Sequence, residues 1–411
     1  MAMAGQLAVG ENAGTIPASM QAAVYRGVND VRLETVPVPE IGAGEILLRV
    51  HTCGICGTDL KKIATGSHSV PRIFGHETAG VVAAVGHGVR DFHAGDRVVV
   101  FHHIPCGECF YCRHKTFAQC ETYKKVGCTA GFEPSGGGFA EYVRVMDWIV
   151  RQGTVRIPPD VSFEQACFLE PVNTCMKGIE RLSLKAGETV VVIGQGPIGI
   201  ILSVLAKRAM EVGEGGDFYG YLGARSDSRS SGNARSSIEA RGASRNGSMV
   251  VTSDLYPQRL TISTSYGLGN SIDASRTDVV KAVREQTEGR GADAAVLAVG
   301  GNGLIGTAMQ AVRPGGRVLL FAQTVHGDAT FDPGAVCVDE KTLLGSYSAS
   351  VELQEDSARF VMDREMDLER LISHRFPLSR SVEALNLAAH PQPDSMKIVI
   401  QPGGSWEGSR A

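Results

Sequence analysis

Cys106-Gly-Glu-Cys109-Phe-Tyr-Cys112, followed by Cys120, is the stretch of the sequence best suited to holding a metal ion. Three thiolates on a C-x2-C-x2-C hook, with a fourth returning further along, can close a tetrahedron around one zinc ion. A site closed by four sulfurs leaves no position for a reacting molecule, so its role is structural. Disulfides are the competing reading. However, 10 Cys in 411 residues without a secretory signal fit reduced thiols better. An iron–sulfur cluster would favour a C-x2-C-x2-C-x3-C-P run, whereas here the last gap is longer and Glu121 follows Cys120. Of the other cysteines, Cys53, Cys128, Cys167, Cys175 and Cys337 read as small, buried apolar side chains.

A second set of ligand types surrounds this lobe. Cys53-Gly-Ile-Cys56-Gly-Thr58-Asp59 and Phe74-Gly75-His76-Glu77 lie upstream, and Phe168-Leu-Glu170-Pro171 lies downstream. One thiolate, one imidazole and one or two carboxylates make the mixed donor set of a catalytic zinc that keeps a position open. Singly the pieces are ordinary: a His beside a Glu is commonly a surface pair, and Glu-Pro commonly ends a helix. Their order, with the four-cysteine lobe between the second and third pieces, gives the set its weight.

Further on, Thr189-Val-Val-Val-Ile-Gly194-Gln-Gly196-Pro197-Ile198-Gly199 reads as a buried strand, a glycine turn and the start of an apolar helix. The first glycine permits the turn, the second lets a pyrophosphate approach the backbone, and the third lets helix and strand pack closely. An acidic residue should close the next strand about 20 residues later. That interval instead holds residues 211–248, rich in Gly, Ser, Arg and Asn and without helical or strand period, which read as a disordered, low-complexity insertion. Only then comes Met249-Val-Val-Thr-Ser-Asp254. Asp254 is expected to bond the adenosine ribose and repel a 2′-phosphate, which favours NAD over NADP, and Arg259 is placed to flank the adenine. The insertion should leave the sheet on the edge away from the nicotinamide.

The elements that must position these residues follow from patterning. Gly is abundant (50 residues) and aromatics are sparse (6%), while valine-rich strands alternate with helical stretches, as in an α/β protein. The net charge of −4 offers no basic footprint for nucleic acid or an anionic membrane. The longest apolar stretch, Thr189 to Ala206, is broken by the glycine turn and is not a membrane span. Residues 1–19 lack a signal-peptide pattern and contain no Lys or Arg; they read as a disordered extension ahead of a start at Met20, and the expected compartment is the cytoplasm. The expected domains are 20–185 for metal chemistry, 186–331 for the nucleotide, and 332–411 as a return to the first. That return should comprise a strand, helices Glu352–Met362 and Val382–Ala389, and a last strand Met396–Ile400. The active site is expected in the cleft between the domains.

Gly-Ile-Cys56-Gly-Thr58-Asp59, Gly75-His76-Glu77, the lobe and Gly194-x-Gly196-x-x-Gly199 occur in the order seen in zinc-containing medium-chain alcohol dehydrogenases. From Met20 to Pro402 the chain resembles that family, apart from the insertion. The resemblance implies a GroES-like β-rich catalytic domain plus a Rossmann domain with a doubly wound parallel sheet. It implies two zinc ions, one catalytic and one structural. Cys56, rather than Cys53, becomes the thiolate ligand, His76 the imidazole and Glu77 the adjacent carboxylate. Glu170 lies where members place a further Cys, Asp or Glu, and its Glu-Pro form resembles the sorbitol and polyol branch. Whether Glu77, Glu170 or water completes the set at rest is left open. Thr58 corresponds to the hydroxyl that relays the alcohol proton, and Asp59 to a partner of His76. Lys61 departs from the pattern, because many members carry a His there to end the relay. Gly345-Ser-Tyr-Ser348 and Lys397 correspond to positions near the nicotinamide and pyrophosphate.

The implied reaction is NAD-linked oxidation of a secondary alcohol or polyol to a ketone by hydride transfer. Zinc is needed because an alcohol of pKa about 16 must first be acidified. Phe101-His102-His103-Ile104 leads into the lobe where family members place substrate-facing residues, which suggests a polar, small-molecule substrate. L-threonine 3-dehydrogenase activity is the alternative; a zinc-free quinone reductase and a zinc-stabilised binding protein are the remaining rivals. A homo-oligomer, dimer or tetramer, is expected.

Overall fold

The computed structural model describes residues 16–102, 104–122, 137–212, 247–322 and 326–403. Two compact units divide the chain: Met1–Pro171 with Ser350–Ala411, and Val172–Ala349. The expected extension before Met20 and the insertion at 211–248 fall mainly outside the described residues, as do Cys128 and His103.

The first unit is built on a seven-stranded sheet. Its main path runs Ile372–Pro377, Lys397–Gln401, Ile46–Gly54, Glu77–Val85, Arg97–Val100 and Thr154–Arg156, with Tyr142–Val145 also pairing on Ile46–Gly54. All neighbours are antiparallel except the first two strands. Ile46–Gly54 is at the centre, and its side chains are almost all buried, as its apolar run requires. Two register shifts against Glu77–Val85 end with Gly54 opposite Glu77. On its other side Gly54 faces Val399 of the Lys397–Gln401 strand. A three-stranded sheet of Asp30–Pro37, Ser19–Gly27 and Arg72–Ile73 completes this unit.

The second unit is a six-stranded, wholly parallel sheet ordered Asn270–Asp273, Met249–Asp254, Thr189–Ile193, Ala292–Leu297, Val312–Leu320 and Thr342–Gly345. This is the 3-2-1-4-5-6 order of a doubly wound nucleotide fold, and its order reverses beside the first strand. Val190, Val191 and Val192 have no exposed surface; each such burial contributes about 1.5–3 kcal/mol.

Two expectations need correction. The short strand Thr342–Gly345, which lies within the 332–411 segment expected to return to the first domain, hydrogen-bonds to Val312–Leu320 as the sixth strand of the nucleotide sheet. The second unit therefore runs to Ala349, not to residue 331, and it begins at Val172, within the helix Leu169–Leu182, not at residue 186. Cys337, expected to be buried, is exposed at the end of the short helix Gly334–Cys337, while Cys53, Cys167 and Cys175 are buried.

The helix Pro197–Val212 and the strand Met249–Asp254 bracket the insertion. Met249 pairs with Thr189 at the start of the first strand, and Ser248 Oγ accepts a hydrogen bond from Gly187 N at 2.8 Å. The returning end of the insertion is thus at the sheet edge opposite the glycine turn.

Candidate active site and metal centres

Cys56 caps the helix Gly57–Thr65. Its Sγ accepts from Thr58 N at 3.5 Å, and its own N–H donates to Asp59 Oδ2 at 3.2 Å. The sulfur therefore faces the positive end of a helix, which favours a negative ligand atom. The other carboxylate oxygen, Asp59 Oδ1, lies 3.1 Å from His76 Nδ1. That contact fixes the ring and leaves Nε2 as the nitrogen that could take a metal ion. One ligand atom each from Cys56, His76 and Glu77 lies within 4.8 Å of the others, the spread that one ion with bonds of about 2.0–2.3 Å can bridge. The donor set fits zinc.

Glu170 stands in the first turn of Leu169–Leu182 and is buried. It does not belong to that 4.8 Å group. Burial pushes its carboxyl up to about 7, opposed by the nearby His76. Lys397 is also buried; its Nζ donates to Ile55 O at 3.1 Å and forms an ion pair with Glu77. Burial alone would lower this ammonium, but Glu77 and Cys56 hold it above the ordinary lysine range. The resemblance put Lys397 at the dinucleotide; in this structure its charge is engaged by Glu77. A β-carbon on Gly54 would overlap Glu77 Oε2 and lie 2.7 Å from Lys397 Cε, so the bare glycine makes room for the pair.

His102, buried at the end of the Arg97–Val100 strand, brings its ring to 4.9 Å from that of His76. The sequence points to a substrate-facing role here and gives no sign of the contact with His76.

The lobe gathers all four sulfurs within 4.8 Å. The Cys109–Cys112 and Cys106–Cys120 pairs are 3.6 Å apart, and Cys106–Cys112 is 3.9 Å. Zinc–sulfur bonds of about 2.3 Å in a tetrahedron require edges of roughly 3.8 Å, while a disulfide needs about 2.05 Å. Cys106 N donates to Cys120 Sγ at 3.3 Å and Cys109 N to Cys106 Sγ at 3.4 Å, so backbone N–H groups point at the sulfurs. This set also fits zinc.

In the second unit Gly194 adopts φ 96°, a conformation that favours glycine. A β-carbon on Gly196 would meet nothing within 4 Å; that open space is what a pyrophosphate needs to approach the backbone. Pro197, Ile198 and Gly199 begin the helix that follows, and at Gly199 a β-carbon would overlap the Gly194 carbonyl. Asp254 ends the second strand with both oxygens engaged, Oδ2 by Gln195 N at 2.6 Å and Oδ1 by Tyr256 N at 2.9 Å. Arg259 stacks over Tyr256 at 4.9 Å and lies 3.9 Å from Asp254.

Comparison with known proteins agrees with both halves. The family model described as alcohol dehydrogenase GroES-like domain matches residues 42–158, and that described as zinc-binding dehydrogenase matches residues 238–363. Sorbitol dehydrogenase of Bacillus subtilis (strain 168) is 27% identical over 394 residues, covering 94% of this chain and 99% of that protein. L-threonine 3-dehydrogenase of Rhizobium johnstonii is 32% identical over 265 residues, covering 62% of this chain and 63% of its own. The solved alcohol dehydrogenase TADH from Thermus sp. ATN1 superposes with a TM-score of 0.73 at 27% identity, covering 93% of this chain and 99% of that one. Because two domain models match in sequence order and relatives align from end to end, the chain belongs to the zinc-containing medium-chain alcohol dehydrogenases, enzymes that use zinc and a nicotinamide dinucleotide.

Proposed function

We propose that this enzyme oxidises a secondary alcohol or polyol of the sorbitol or iditol type to its ketone, with NAD as hydride acceptor. The observation that carries the reading is the convergence of Cys56, His76 and Glu77 ligand atoms within 4.8 Å, with the Thr58 hydroxyl on the same helix turn as Cys56. A zinc ion held there supplies Lewis acidity, which lowers the pKa of a bound hydroxyl from about 16 towards about 7. Thr58 takes the hydroxyl proton and passes it towards the cofactor ribose. Lys61 replaces the usual relay histidine, so the proton leaves through ordered water. A nicotinamide dinucleotide held at the Gly194–Gly199 turn and Asp254 would supply the hydride acceptor, so that oxidation would give ketone, NADH and one proton. Asp59 holds the His76 ring in its ligating tautomer, while Lys397 neutralises Glu77. Glu170 is a reserve carboxylate for the metal. Asp254 accepts the ribose hydroxyls and disfavours a 2′-phosphate, and Arg259 flanks the adenine.

A polar substrate is favoured by the His102 imidazole next to His76 and by Glu170-Pro171, the form resembling the polyol branch. L-Threonine is the second reading, favoured by the threonine dehydrogenase likeness over 265 residues. A homo-oligomer in the cytoplasm, where thiols stay reduced, completes the proposal. The test is a panel of polyols, sugars, simple alcohols and L-threonine assayed for NADH formation. The highest kcat/KM should fall on a polyol or secondary alcohol; turnover confined to L-threonine overturns the polyol reading.

A further inference from the structure

Gln195 fills the first variable position of the glycine turn, and its side chain is wholly buried. A turn of this kind needs no side chain there, and burying an amide is costly unless its donors and acceptor are satisfied. Here they are. Nε2 reaches the carbonyls of Val192 and Gly194, both at 3.2 Å, and Ser203 Oγ at 3.4 Å. Oε1 accepts from Ser263 Oγ at 2.8 Å. Ser203 belongs to the helix after the turn, Pro197–Val212, and donates its own proton to Gly199 O at 2.8 Å. Ser263 belongs to Pro257–Ser265, the helix that carries Arg259. Through its main-chain N–H, Gln195 also holds Asp254 Oδ2 at 2.6 Å. One residue therefore ties together the end of the first strand, the turn, both flanking helices and the carboxylate of the second strand.

We propose that Gln195 is the positioning residue of the nucleotide site. Its buried amide locks the glycine turn to the helix Pro257–Ser265, and this lock holds the Gln195–Asp254 bond that presents the carboxylate to the ribose. A fully satisfied polar network has one good arrangement, whereas an apolar residue at position 195 would leave Ser263 Oγ, Ser203 Oγ and two carbonyls to re-pair. The consequence concerns cofactor affinity, because the atoms displaced are those that would meet pyrophosphate and ribose. The inference rests on the reading of Gly194–Gly199 and Asp254 as the dinucleotide site.

The experiment compares the zinc-loaded wild type with Gln195→Met, Ser263→Ala, their double variant and Gly196→Val. NADH affinity is read by fluorescence titration, alongside KM for NAD, kcat at saturating NAD and the melting temperature. Gln195→Met should raise the Kd for NADH about tenfold, the worth of one or two buried hydrogen bonds. Ser263→Ala should raise it about threefold, and the double variant no more than Gln195→Met, since both cut one network. The kcat should stay within twofold. A Kd within twofold of wild type for Gln195→Met, while Gly196→Val has lost NADH, overturns the inference and spares the dinucleotide reading. If Gly196→Val binds NADH as the wild type does, the dinucleotide reading itself fails, and the inference with it. A fall in kcat and melting temperature in step with affinity indicates general packing and also overturns the inference. Should Gln195→Met not fold, Ser263→Ala decides: a threefold rise supports the lock and an unchanged Kd refutes it.

Discussion

His76 Nδ1 lies 3.1 Å from Asp59 Oδ1, and both side chains are out of solvent. Asp59 is also bonded through its second oxygen to the backbone of Cys56, so a single carboxylate braces both His76 and Cys56. The helix cap and the residues that could hold a metal ion are thus one construction.

Removing that brace should loosen the metal without emptying the lobe. Asp59→Ala is expected to weaken zinc binding at Cys56 and His76 by about 10–100-fold, as loss of a carboxylate behind a ligating His commonly does. Competition with a chelator measures it. The zinc of the four-cysteine lobe should be retained, and unchanged affinity at the first site would remove Asp59 from the account.

Gly54 lies between the strands that carry Glu77 and Lys397. Gly54→Ala should push the two side chains apart, costing about 1–3 kcal/mol for overpacking, and more if the buried ion pair is broken. Chemical denaturation of the zinc-loaded protein measures the change. Stability within experimental error of the wild type would mean that Glu77 has somewhere else to go.

Thr58→Ala deletes the proposed proton relay while leaving the bond from Thr58 N–H to Cys56 Sγ in place. A fall in kcat of roughly 10²-fold is expected, the usual worth of an acid–base group. Steady-state kinetics with a polyol substrate decides; kcat within twofold of wild type excludes Thr58 from the proton path.

Much of this was legible in the sequence because the signals are local. The lobe cysteines, the glycine turn and the run of β-branched residues in Met249–Asp254 each carry their message within a dozen positions, and the described structure places these elements where the spacing put them. The place of the edge strand Thr342–Gly345 in the nucleotide sheet is not legible because four residues carry too little pattern to identify their partner strand. The pairing of Lys397 with Glu77 is not legible in the sequence because its neighbours come from distant parts of the chain; its bond to Ile55 O spans 342 positions. Gln195 escaped notice because the turn motif constrains only its glycines, and nothing local predicts that Ser203 and Ser263 converge on one amide.

The insertion offers a test of architecture. Deleting residues 213–246 should leave the Kd for NADH within twofold of wild type, because the returning chain at Ser248 is held at the edge opposite Gly194, and closing a shorter loop changes little. A large loss of NADH affinity would mean that the inserted residues take part in binding.

The most direct measurement is metal content and NAD reduction on the same preparations of wild type and of Cys56→Ser with His76→Ala. Two zinc ions per wild-type chain, one in the double variant, and dehydrogenase activity only in the former are expected. A folded double variant that still reduced NAD at the wild-type rate with a single lobe zinc would contradict it.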